Sequence, residues 1–270
     1  LDTAQSDALA LILAAALHDI GESYIDPEHL HPSRRLSPAE WKFIASHPRI
    51  GQFLIQTLTS LPTTVAQCVG QHHERHDGSG YPCQTTRAEQ HHLAGWIAAA
   101  DAAAAILSNG EEAAEKIVLA LRIIPEEFNR DASNILIRSI HDPDGGYKEI
   151  ADDRCISRAE NLIERISEAC GILDEIENTS PFPCARQICG NGLRLLNSVA
   201  KAMRSTGIVD TRMLGDSIGD SQILAEMHLI VQEVESRMRN LARNTYLRME
   251  NCAASATLDN LKTAIELLDV

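Results

Sequence analysis

The chain has 270 residues, 44% of them hydrophobic and 23% charged, an ordinary globular composition on a length sufficient for two compact domains. Its formal net charge of -14 excludes a general electrostatic footprint for DNA, which needs clustered Lys and Arg. A phosphate-bearing ligand would need positive potential supplied locally, and a divalent cation does this most compactly.

Aromatic residues make up only 4%, alanine and leucine are abundant, and β-branched residues are scattered instead of alternating, so the chain reads as almost all-α. Apolar spacing and stop signals predict helices over 5–18, 38–58, 63–74, 88–108, 112–123 and 131–140. The first carries the longest apolar run, Ala8–Leu17, whose ten residues are too few to span a bilayer. Asp2 and Asp7 precede it where a targeting segment would be basic. The second helix opens on Ser37-Pro38-Ala39-Glu40, a capping box with proline at the first helical position. HDPDGG at 141–146 reads as a loop that divides residues 1–145 from 146–270. Beyond it, Ile156, Ala159, Ile163, Ile166, Cys170 and Leu173 alternate spacings of 3 and 4, the seam of a helix packed on another helix. Ile223, Met227, Ile230, Val234, Met238 and Leu241 continue the pattern. SPFPC at 180–184 breaks one helix and the stretch 205–217 the next, giving a bundle of three or four helices suited to packing, dimerisation or signal relay.

Seven cysteines include no C-x-x-C pair, and their odd number argues against a complete disulfide framework, so Cys184 and Cys189 read as buried or loop thiols in a reducing cytoplasm.

Nine of the eleven histidines fall between positions 18 and 92, which marks a site-bearing half. His18-Asp19 ends the first helix, His47-Pro48 lies in the second, and His72-His73 ends the third. Asp101 stands inside WIAAADAAAAIL, where a carboxylate is costly to bury unless paired, protonated or bound to metal. Imidazole nitrogens with carboxylate oxygens suit iron, manganese or zinc, and the lack of cysteine pairs argues against a structural zinc cage. His29, His31, His76, His91, His92, His141 and His228 read as surface or loop residues.

HDIG at 18–21, His47-Pro48 followed by Gly51, HHE at 72–74 with DGSGYP at 77–82, and Asp101 in an alanine-rich helix together resemble the HD-GYP family, a subgroup of the HD phosphohydrolase superfamily. The resemblance covers roughly residues 7–110 and implies a helical HD-domain bundle followed by the C-terminal bundle. It implies hydrolysis of cyclic di-GMP to linear pGpG or GMP by a hydroxide bridging two or three divalent ions, iron or manganese. His18, Asp19, His47, His72, His73 and Asp101 would be the metal ligands, with Asp19 bridging and His18 and Asp19 at the catalytic centre; Gly80, Tyr81 and Pro82 would line the substrate cleft. The implied partners are cyclic di-GMP and signalling proteins, diguanylate cyclases among them. Three departures accompany the match. Glu22 stands where the family has lysine, as a solvated acid or an alternative contact to metal or water. Ser108-Asn109-Gly110-Glu111-Glu112 stands where Arg and Lys usually hold phosphate. The early helix that normally adds another histidine would precede Leu1. These departures carry the alternative of a catalytically weakened domain that binds nucleotide or protein.

Overall fold

The computed structural model describes residues 3–31, 34, 36–108, 113–140, 155–205, 221–250, 252 and 255–269. The HDPDGG boundary, the stretch 109–112 and nearly all of the predicted break at 205–217 lie outside them. The fold is all-α: among the described residues the extended pairing is one isolated bridge, Asp77 with Thr86. The chain divides into two compact units, Leu1–Ile117 with Pro125–His141, and Val118–Ile124 with Asp142–Val270. No helix of the described residues is long and apolar enough to cross a membrane.

The first unit contains α1 (Thr3–Leu17), a short 3-10 helix (Ile20–Tyr24), α2 (Pro38–Ala45), α3 (His47–Leu58), α4 (Thr63–Gln71), α5 (Ala94–Ser108) and α7 (Arg130–Ile140). α6 (Ala113–Ala120) runs across the division. Ala10 and Ala14 of α1, Ile55 of α3, Val65, Cys68 and Val69 of α4 and Ile97 of α5 form its core. The start of α2 follows the local signal: Ser37 Oγ accepts from Glu40 N–H and the Glu40 carboxylate accepts from Ser37 N–H.

The helix predicted over 38–58 is two helices, broken at Ser46. Pro48 has no N–H to offer the carbonyl of Ile44, four residues back, and its ring would crowd that carbonyl in a continuous helix. Ser46 closes α2 instead, its hydroxyl donating to Phe43 O at 2.6 Å. α5 starts at Ala94 and not near 88; Thr86 and Glu89 close a single turn before it, with Glu89 N–H on Thr86 O and the Glu89 carboxylate on Thr86 N–H and Oγ–H.

The 3-10 helix lies against α3 at a distance only glycine allows. A Cβ on Gly21 would overlap the carbonyl oxygen of His47 and stand 2.8 Å from Gly51 N.

In the second unit α8 (Cys155–Thr179), α9 (Pro183–Ser205), α10 (Ser221–Glu250) and α11 (Ser255–Leu268) pack around Leu162, Ile166, Leu173, Leu196, Met203, Met227, Met238 and Leu261. On the predicted seam Ala159, Ile166 and Leu173 are buried, and Ile156, Ile163 and Cys170 pack against them half-buried. Ile223 is 38% exposed. α9 begins at Pro183, as expected of a residue that has no N–H to leave unpaired in a first turn. Arg165 donates to Leu267 O at 2.7 Å and Glu266 O at 3.0 Å, supplying partners for carbonyls at the end of α11.

One cysteine reading is corrected here. Cys184, in the first turn of α9, forms a disulfide with Cys252, their Cα atoms 6.1 Å apart. The two positions are 68 residues apart and are brought together by the bundle, which no local spacing signals. Among the described residues Cys68, Cys83, Cys155, Cys170 and Cys189 stand outside any disulfide.

Candidate metal centre

Three histidines of the first unit stand where a helix ends, and this determines their tautomers. α1 stops at Leu17 and α4 at Gln71, so Ala15 O and Val69 O are among the last carbonyls of their helices and have no intrahelical partner. His18 Nδ1–H donates to Ala15 O at 2.8 Å and His72 Nδ1–H to Val69 O at 2.6 Å. The carbonyl that Pro48 leaves unpaired, Ile44 O, accepts from His47 Nδ1–H at 2.8 Å. In each ring the other nitrogen, Nε2, is left to face the interior of the cluster, and such outer hydrogen bonds commonly orient metal-ligating imidazoles.

The six residues singled out as ligands converge. Asp19, His47, His72 and His73 each offer a donor atom within 4.8 Å of the others. Asp19 Oδ1 lies 3.3 Å from His47 Nε2 and 3.4 Å from His72 Nε2, while its Oδ2 lies 3.0 Å from His18 Nε2. Asp101 closes the ring from α5, with Oδ1 3.6 Å from His18 Nε2 and Oδ2 3.5 Å from His73 Nδ1. Among the described residues no lysine or arginine pairs with either carboxylate.

The donor set fits a divalent cation. His47 Nε2 and His72 Nε2 stand 3.1 Å apart, and because both Nδ1 atoms carry the hydrogen given to a carbonyl, two lone pairs face each other. That separation is what two nitrogens about 2.1 Å from one ion adopt at roughly a right angle. Burial lowers the pKa of His72, and burial with the neighbouring His72 charge puts His73 well below the ordinary imidazole range, so both favour the neutral form that ligates metal. Asp101 and then Asp19 raise His18 to about 10. Burial works to raise the Asp19 carboxyl, but His18, His47 and His72 outweigh it and hold it well below the usual carboxylate range.

The GYP turn borders this cluster. Tyr81 stacks on His73 with ring centroids 4.6 Å apart and meets Trp41 edge-on at 5.3 Å. Burial keeps its phenol well above the ordinary tyrosine value. Gly80 is pressed on the backbone of residues 73–75, where a Cβ would overlap His73 O and Arg75 N. Pro82 follows through a cis peptide bond. Glu22, in the 3-10 helix, has its carboxyl raised by burial and then by Asp19. Of the remaining histidines, His29 stacks on Phe43, His91 approaches Cys68 Sγ at 3.6 Å, His92 pairs with Asp7, and His228 bonds Gln232; none of these joins the cluster.

Two supporting residues went unassigned in the sequence reading. Glu74, 1% exposed, accepts from Cys83 N–H at 2.7 Å and Thr85 N–H at 2.9 Å. Trp41 supports the far side of Tyr81. For Glu74 a signal was present, since an acid between two histidines and a glycine turn must either reach solvent or find donors; for Trp41 there was none.

A family model for the HD domain matches residues 1–127. A 3'3'-cGAMP-specific phosphodiesterase 1 of Vibrio cholerae is 37% identical over 73 residues, 27% of this chain and 17% of that protein. The cyclic di-GMP phosphodiesterase response regulator RpfG of Xanthomonas campestris is 34% identical over 83 residues, 30% of this chain and 22% of its own length. The cyclic di-GMP phosphodiesterase PA4108 of Pseudomonas aeruginosa is 33% identical over 70 residues, 26% and 17% of the two chains. The chain thus spans about a fifth of the length of the curated relatives it matches. No solved structure matches it. The HD pair at the end of α1, the paired histidines after α4 and the aspartate of α5 stand around one centre, and all lie within residues 1–127, which match the HD domain family.

Proposed function

We propose that the amino-terminal domain, residues 1–145, is a metal-dependent phosphodiesterase of the HD-GYP type that opens cyclic di-GMP to linear pGpG or to GMP. The observation that carries this reading is the convergence of four imidazoles and two carboxylates, with the tautomers of His18, His47 and His72 set by helix-end carbonyls. His18, Asp19, His47, His72, His73 and Asp101 would hold two or three ions, iron or manganese. Bound there, such ions supply Lewis-acid charge at the phosphate and lower the pKa of water. Asp19 divides its two oxygens between the His47–His72 side and the His18 side, the disposition of a bridging ligand. Asp101 faces both His18 and His73 and balances the charge of His18. Tyr81, stacked on His73, would line the substrate cleft, with Gly80 and Pro82 shaping the turn that carries it. Residues 146–270 would serve packing, dimerisation or relay to other signalling proteins.

Incubation of the metal-loaded protein with cyclic di-GMP, and separately with 3'3'-cGAMP, tests the proposal by the appearance of linear product. Absence of product with manganese and with iron, in protein shown by elemental analysis to carry the metal, ends it. Glu22 favours a second reading, a nucleotide-binding module with weakened catalysis, since a carboxylate beside Asp19 repels phosphate. Calorimetric binding of cyclic di-GMP without turnover would select that reading.

A further inference from the structure

We propose that Glu74 is a positioning residue that holds the Tyr81 loop against the metal-ligating histidines, an inference that rests on the phosphodiesterase reading only for its effect on turnover. Glu74 directly follows His73, yet its carboxylate turns away from the cluster and spans the loop. Oε1 takes Cys83 N–H at 2.7 Å and Oε2 takes Thr85 N–H at 2.9 Å, so both oxygens are committed to backbone donors on the far side of Tyr81. Tyr81 N–H returns to His73 O at 3.1 Å, which ties the near side of the turn to the residue that its ring covers. Gln90 Nε2 bridges Arg75 O at 2.9 Å and Thr85 O at 2.7 Å from outside the turn. Gly80 supplies the close approach that lets the loop lie on the backbone of residues 73–75.

A buried carboxylate suits this task because it is an acceptor at both oxygens. A glutamine in its place presents an amide donor to one of the two N–H groups, so one end of the loop must come free. The ligand helix and the ligand rings are untouched by that change. Whichever amide is released, Cys83 or Thr85, lies within four residues of Tyr81 in the same loop.

Glu74→Gln tests the assignment through four readouts in the full chain. Amide exchange of residues 80–86 is expected to rise about tenfold, the loss of roughly one buried hydrogen bond. The 19F resonance of Tyr81 in 3-fluorotyrosine-labelled protein, assigned with Tyr81→Phe, is expected to move. Manganese content is expected to equal that of the parent. KM for cyclic di-GMP is expected to rise about tenfold with kcat changed less than about threefold, the split left by loss of a binding-site geometry. Unchanged exchange, an unmoved Tyr81 resonance, or loss of manganese along with the loop would each overturn the assignment. If the parent turns over no cyclic dinucleotide the phosphodiesterase reading fails, while the exchange and fluorine readouts still decide the role of Glu74. Should the variant not fold, fast exchange of the Cys83 and Thr85 amides in the parent would itself refute the clamp, and slow exchange would uphold it.

Discussion

Gly21→Ala is expected to separate Asp19 from His47 without altering any proposed ligand. A Cβ at Gly21 overlaps the His47 carbonyl oxygen and lies 2.8 Å from Gly51 N, both backbone atoms that no rotamer change can move. Ordinary contact begins near 3.5 Å, so the 3-10 helix and α3 must part by about 0.7 Å or more. Asp19 Oδ1 and His47 Nε2 stand 3.3 Å apart across that same seam, and ligand distances at a metal tolerate about 0.2 Å. The variant is expected to lose about 1–3 kcal/mol of stability to overpacking. Manganese affinity is expected to fall about 10–100-fold, the scale of a disturbed ligand support. Calorimetric titration with manganese and urea unfolding measure the two effects. Two further glycines calibrate them. Gly51→Ala directs its Cβ at Val69 Cγ1, 2.9 Å away, and Ile20 Cγ2, 3.3 Å away, branch atoms of stiff side chains of which Val69 is fully buried, so it costs about 1–3 kcal/mol in packing without any backbone overlap. Gly171→Ala, exposed in α8 with nothing within 4 Å of its Cβ, should stabilise by about 1 kcal/mol through helix propensity. Parent-like stability and manganese affinity in Gly21→Ala would refute the argument that this close approach sets the ligand spacing.

Asp101→Asn keeps the shape of α5 but removes the charge facing His18 and His73; manganese affinity should fall about 100-fold or more with an unchanged circular dichroism spectrum, and retained affinity would remove Asp101 from the ligand set. Reduction of Cys184–Cys252 opens a loop closed across 68 residues and should lower stability by up to about 4 kcal/mol, read from urea unfolding with and without reductant; alkylation of both thiols in unreduced protein would refute the link. Leu196→Ala, at a fully buried position of the helical bundle, should cost about 2–5 kcal/mol in the unfolding of the second unit, and a smaller loss would mean that the core collapses around the site.

The sequence by itself determined the class of structure and which residues are candidate donors. Helical periodicity, the Ser37–Glu40 box and the scarcity of aromatics are local properties, and local hydrogen bonding and side-chain burial along one face suffice to read them. His18, Asp19, His47, His72, His73 and Asp101 could be named as candidates because HDIG, His47-Pro48, HHE and Asp101 in its alanine-rich helix resemble the HD-GYP family, and a carboxylate among alanines is costly without a partner. Pro48 was equally visible, but its consequence was not, since a proline either kinks a helix or starts one according to what the preceding residues bond.

Tertiary structure decided everything that depends on which atoms meet across the chain. The direction of each Nε2 follows from where α1, α2 and α4 end and which carbonyls they leave unpaired. The commitment of Glu74 to Cys83 and Thr85 follows from the path of one loop, and the pairing of Cys184 with Cys252 from the return of a bundle 68 residues later. A composition or a spacing states which donors exist; only the closed chain states which of them have been taken and which remain to face a cation.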